Sequence, residues 1–293
     1  MATTKKTIEA IIAPPPAHMV GDGFRVHGFF PGGKLIDKKR MSPFFMMDYG
    51  SKVEFPPSDE PRGVGVHPHA GFETVTIAYH GKIAHHDSAG NSGIIGEGDV
   101  QWMTAGAGLL HKEYHEKEFS KTGGLFQMVQ LWVNLPAKDK KTKPKYQEVS
   151  NAMMGRHYLE DKKSFIEVIA GEYNGTKGQA STFTPIQVYN ARLKKGAKAT
   201  LNFPSNYNTG LLMVEGTAKL NDSLAQTDHF VLFKNEGEEI EIEAIEDTII
   251  LVLSGEPIDE PIAAYGPFLM NTWQEVEEAI ESVSRGKFGV LED

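Results

Sequence analysis

Two short stretches place metal-binding side chains at alternate positions, His67-Pro68-His69 and His111-Lys112-Glu113. In an extended strand, residues i and i+2 point to the same face, because side chains alternate with a period of two. Two such pairs on neighbouring strands of a barrel converge, and three imidazoles and one carboxylate then surround a single ion. The chain has no cysteine, so disulfides, thiolate ligands and thiol catalysis are all removed, and any metal must be held by nitrogen and oxygen. That donor set suits iron, manganese, nickel, copper or zinc and leaves one or two positions open on an octahedral ion. An isolated His-x-His is also what two packing histidines look like. The second pair tips the reading, helped by Gly106 and Gly108 just before it, which allow a sharp turn into the strand.

The other candidates are weaker. Glu73 lies four residues after His69, so simple alternation puts it on the same face, in a role that orients an imidazole or packs the core. His85 and His86 are consecutive and point to opposite faces, with at least one expected at the surface. His115 shares the parity of His111 and Glu113 but stands too far along the strand to reach the same ion. There is no Gly-x-Ser-x-Gly elbow and no Gly-x4-Gly-Lys-Ser/Thr phosphate loop, which argues against a hydrolase triad and an NTPase. A net charge of −9 argues against direct nucleic-acid binding. The acidity sits in residues 146–293, which carry 24 Asp and Glu against 12 Lys and Arg, whereas His157 and His229 are the only histidines there. No run approaches the roughly 18 apolar residues of a membrane span, and the first residues lack a signal-peptide core. A cytoplasmic protein without membrane partners is expected.

The elements that must position these residues are short strands. Phe24–Phe30, Pro43–Tyr49, Phe72–Tyr79, Lys82–Asp87, Asp99–Met103 and Leu125–Leu135 are β-rich runs separated by glycine turns. Phe165–Ala170, Ile186–Leu193, Leu211–Val214, His229–Phe233, Ile240–Ala244 and Thr248–Leu253 repeat the style. Many short strands with almost no helix predict an antiparallel sandwich or barrel. A length of 293 residues suits two domains of about 150. The lysine-rich stretch Pro136–Pro144 reads as an exposed linker between them. The expected domains are therefore 1–140, which holds the metal, and 145–293, which lacks the ligands. Gly210–Gly216 echoes Val75–Gly81 in shape, as an internal duplication with one copy emptied would. One helix is expected at about 273–285, opened by the capping box Thr272/Glu275 and stopped by Gly286.

At HPHAGFETVT, DVQWMTAGAGLLHKE, QLWVNLP, KYQE and GPFLMNT, in that order, the sequence resembles the pirin family of the cupin superfamily. The resemblance spans nearly the whole chain and is densest between Gly63 and Leu135. It implies an all-β fold, two antiparallel β-barrel or jelly-roll cupin domains (a bicupin), with a short C-terminal helix. It implies one mononuclear metal, usually iron as Fe(II), held by His67, His69, His111 and Glu113, with Glu73 not a ligand. Two positions depart from the general cupin pattern, Pro61 in place of a glycine and Thr104 in place of a proline. Neither touches a ligand. Several pirins are similar to quercetin 2,3-dioxygenases, so a flavonol such as quercetin and O2 are the expected small-molecule partners, with Glu113 as both ligand and proton acceptor. Other pirins are regulators. The rival expectation is therefore a non-enzymatic, metal- or redox-responsive protein that binds a transcriptional or metabolic-enzyme partner and has a closed metal site. Phe44–Met47, Trp102, Met103, Met128 and Trp132 are the apolar side chains expected to line a substrate pocket.

Overall fold

The structure is a computed structural model and describes residues 4–32 and 35–292. Strands dominate it, as the β-branched runs and glycine turns predict. Among the described residues, one compact unit comprises 16–32, 35–38, 44–151 and 258–292; the other comprises 4–15, 39–43 and 152–257. The division is therefore interleaved, whereas the lysine-rich stretch suggested a sequential one near 140–145. The reason lies in strand pairing. Ile8–Ile12 pairs antiparallel with Phe230–Phe233 in the second unit, and residues 258–292 return to the first.

In the first unit the strands are β1 (His18–Val20), β2 (Phe24–Phe30), β3 (Phe44–Phe55), β4 (Gly63–His69), β5 (Phe72–His80), β6 (Ile83–Asp87), β7 (Ser92–Ile95), β8 (Val100–Thr104), β9 (Leu109–His115), β10 (Gly124–Asn134) and β11 (Lys145–Val149). They form a seven-stranded sheet in the order β11-β8-β5-β10-β3-β2-β1 and a four-stranded sheet in the order β4-β9-β6-β7. All the pairings are antiparallel. β5 sits near the middle of the larger sheet, and every residue from Phe72 to Tyr79 is buried. A short helix missed by the sequence reading, α1 (Lys117–Thr122), follows β9; the Glu116 carboxylate accepts from the N–H groups of Glu118 and Phe119 at its start.

The stretch read as an exposed linker is built into this unit. Ala137–Asp139 forms one 3-10 turn, and Lys140 is 2% exposed. Its ammonium donates to the Gly71 carbonyl (2.9 Å), Asn134 Oδ1 (2.7 Å) and the Leu269 carbonyl (2.8 Å), so all three N–H groups are matched. Burial nevertheless pulls the Lys140 amine down to about 7. The returning C-terminal segment binds the turn after β4: the Ala70 N–H donates to the Pro267 carbonyl and the Leu269 N–H to the Ala70 carbonyl. Gly71, at φ 88°, permits this approach, since a Cβ there would lie 2.1 Å from the Leu269 carbonyl oxygen. Helix α2 (Trp273–Ser284) has the expected capping box and buries Val276 and Ala279 against Ala70, Phe268, Met270 and Phe288.

The second unit has the same architecture. Its seven-stranded sheet runs Ile8–Ile12, Phe230–Phe233, Asn208–Glu215, Thr248–Gly255, Ile186–Leu193, Phe165–Ala170, Gly155–Tyr158, and its four-stranded sheet is formed by Lys198–Asn202, Glu239–Ala244, Ala218–Leu220 and Ser223–Ala225. Its core is apolar, with Leu211, Met213, Val231, Phe233, Ile250 and Val252 all buried. Each unit is thus an antiparallel two-sheet β-barrel.

Candidate metal centre

The register between β4 and β9 brings the predicted residues together. His111 lies directly opposite His67, and Leu109 opposite His69. One ligand atom from each of His67, His69 and His111 lies within 4.8 Å of the others. The ring centroids are 4.3 Å apart for His67–His111, 4.7 Å for His69–His111 and 4.8 Å for His67–His69. Glu113 stands beside this group rather than in it. Glu113 keeps the alternation of β9 and is buried like His111, while the register shift that pairs it with Val64 places the extra residue in β4. The Glu113 carboxylate accepts from Thr76 Oγ1 at 3.0 Å and from Gln130 Nε2 at 2.8 Å. These two holding residues carried no sequence signal of their own, because they come from the other sheet and lack metal-type side chains.

The electrostatics suit a cation. His69 and His111 are 4% and 1% exposed, and burial, reinforced by the charge of the neighbouring imidazoles, holds both well below the usual histidine range. They are neutral near pH 7, the form that binds metal. His69 Nδ1 and both ring nitrogens of His111 are buried without a hydrogen-bond partner, and a coordinated ion would satisfy one nitrogen on each ring. His67 Nδ1 lies 2.8 Å from the Gly65 carbonyl; donating there leaves Nε2 as its free lone pair. Burial raises the Glu113 carboxyl, against the hydrogen bonds from Gln130 and Thr76 and the charge of His67. The donor set and the orphaned nitrogens therefore fit a divalent ion.

A cavity of about 330 Å³ opens onto His67, His69 and Glu113. Met46, Met128 and Trp132 line it, with Trp132 lying against the His69 ring at 5.3 Å. Phe44, Met47, Trp102 and Met103, also expected on its wall, are instead fully buried in the core.

The three weaker candidates all lie outside the histidine group. Glu73 does not share the ligand face. The Ala70-Gly71 turn breaks the alternation, so Phe72 touches His69, Thr76 reaches Glu113, and Glu73 points away to accept from Thr104 Oγ1 at 2.7 Å. His85 and His86 do diverge, but neither is fully exposed: His85 packs beside Tyr146, and His86 meets the Tyr114 hydroxyl at 2.9 Å. His115 is buried among Phe24, Phe55, Phe119 and Phe126, with Nε2 on the Gly23 carbonyl at 2.8 Å, in a packing role.

Comparison with known proteins places this geometry. The family model described as Pirin matches residues 23–133, and that described as Pirin C-terminal cupin domain matches 188–289. The chain belongs to the pirin family. Its fold is accordingly a bicupin. It is similar to a Pseudomonas aeruginosa protein provisionally named a quercetin 2,3-dioxygenase, at 45% identity over 92% of this chain and 94% of the relative. Rat Pirin is 32% identical over 99% of this chain and 95% of the relative. Among solved structures, the Acinetobacter baumannii quercetin 2,3-dioxygenase has 46% identity and a TM-score of 0.92, covering 99% of this chain and 100% of that one.

Proposed function

We propose that this pirin is a mononuclear metal-dependent dioxygenase that opens a flavonol such as quercetin with O2, at a site formed by His67, His69, His111 and Glu113. The observation that carries the reading is the junction of two features: three convergent imidazoles, two of them with orphaned nitrogens, and an apolar cavity reaching two of the three. The similarity to proteins named for quercetin 2,3-dioxygenase supports it. Fe(II) is the ion proposed first, and Mn, Ni, Cu or Zn share the same preference for nitrogen and oxygen donors. The bound ion would supply Lewis-acid polarisation of a substrate hydroxyl and a template for oxygen.

The chain's own residues do the rest. Trp132 and the methionine side chains provide a flat, apolar wall that receives an aromatic ring and excludes water. Glu113 is the anionic group at the site, and its raised proton affinity suits it to take the proton of the flavonol 3-hydroxyl at a carboxylate oxygen. Gln130 and Thr76 hold that carboxylate in place by donating to its two oxygens. A purely regulatory metal site would be closed, and the cavity favours the enzyme instead. The test is oxygen uptake with quercetin after anaerobic iron loading, wild type beside His69→Ala. Consumption of both reactants by the wild type alone is expected; an inert wild type that retains its metal would rule out this substrate.

A further inference from the structure

The cavity carries a second carboxyl that the mechanism above does not use. Asp48 of β3 lines the same space as His67, His69 and Glu113. Across β10 its register partner is Gln130, whose amide donates to Glu113. Asp48 therefore sits one strand beyond the residue that holds the site's own carboxylate. On its other side the partner is Gly28. A Cβ at Gly28 would lie 3.3 Å from Asp48 Oδ1 and 3.6 Å from His18 Cε1, so the bare backbone there leaves room for both side chains.

The surroundings are apolar, with Phe24, Val26 and Met128 on the same wall. Asp48 is half-buried and accepts no hydrogen bond among the described residues. Its carboxyl is pushed up by burial, with the charge of His18 acting the other way. A polar group drawn partly out of water with no donor is costly unless a ligand supplies one. The simpler alternative is a loose electrostatic pairing with His18.

We propose that Asp48 is a specificity-determining residue of this cavity, accepting a hydrogen bond from a ring hydroxyl of a polyhydroxylated aromatic whose other hydroxyl meets the histidine group. The inference rests on the flavonol reading and narrows it, because a flavonol with no hydroxyl besides the one at C3 leaves Asp48 unpaired. Sites built to bind a substrate hydroxyl discriminate against analogues that lack it for this reason.

Equilibrium binding to zinc-loaded protein tests this without turnover, read by quenching of tryptophan fluorescence. The ligands are quercetin and 3-hydroxyflavone, and the proteins are wild type, Asp48→Asn and Asp48→Ala. Wild type should prefer quercetin by about tenfold, the worth of one hydrogen bond to a charged group. Asp48→Ala should lose that preference while binding 3-hydroxyflavone at least as tightly as wild type, since no carboxylate is then left unpaired, which also shows that the variant is folded; Asp48→Asn should fall between. Equal affinity of the wild type for both flavonols, an equal loss for both in Asp48→Ala, or no binding of either would overturn the proposal. A preserved preference without oxygen uptake would refute the dioxygenase reading and leave the role of Asp48 standing.

Discussion

Glu73 offers a test of the electrostatics that is independent of any metal. The residue is 1% exposed, accepts one hydrogen bond from Thr104, and burial pushes its carboxyl up to about 7 from an ordinary 4.5. A raised carboxyl means that the folded state prefers the proton. Its contribution to stability is complete below about pH 4.5 and is lost as pH rises through about 7, where the fold must bury an anion. Between pH 5 and pH 8.5 the loss amounts to about 2.5 kcal/mol, taking 1.36 kcal/mol per pKa unit and the two pKa values above. Glu73→Gln keeps the shape and the acceptor for Thr104 but cannot ionise. Its stability relative to wild type should therefore rise with pH by roughly that amount, in guanidinium unfolding curves collected across the range. A difference that does not change with pH would refute the reasoning, as would one that changes in the opposite sense.

Three further perturbations follow from the contacts around the site. Gln130→Leu removes a donor to Glu113 and should weaken metal binding about 10–100-fold in competition with a chelating dye; unchanged affinity would separate Glu113 from the metal. Lys140→Met leaves three buried acceptors unmatched and should cost about 3 kcal/mol of unfolding free energy. Gly108→Ala places a Cβ 2.1 Å from the Phe288 ring at φ 120°, so it should destabilise by about 2 kcal/mol or more and speed proteolysis of the C-terminal segment. A melting curve and digestion pattern like those of wild type would count against that contact.

Much of the architecture was legible from local signals. Strand runs such as Phe165–Ala170 and Ile186–Leu193 match the structure to the residue because β-branched side chains and glycine turns bound them. The convergence of His67, His69 and His111 was legible because alternation needs only neighbouring antiparallel strands. What escaped the sequence depended on distant partners. The donors that hold Glu113, Thr76 and Gln130, come from the other sheet, and the Glu73 reversal comes from the Ala70-Gly71 turn, which is shaped by Leu269 nearly two hundred residues later. Lys140 looked solvated because its neighbours are lysines; its three oxygen acceptors lie on segments that meet only in the folded unit. The pairing of Ile8–Ile12 with Phe230–Phe233 is invisible to local pattern for the same reason.

The most direct test of the metal centre is a stoichiometry. Wild type and His111→Ala would be loaded with Fe(II) under anaerobic conditions, desalted and subjected to elemental analysis. The three-imidazole site requires one ion per wild-type chain and its loss in the variant. One ion retained by His111→Ala at undiminished affinity, or no ion in a folded wild type, would contradict it.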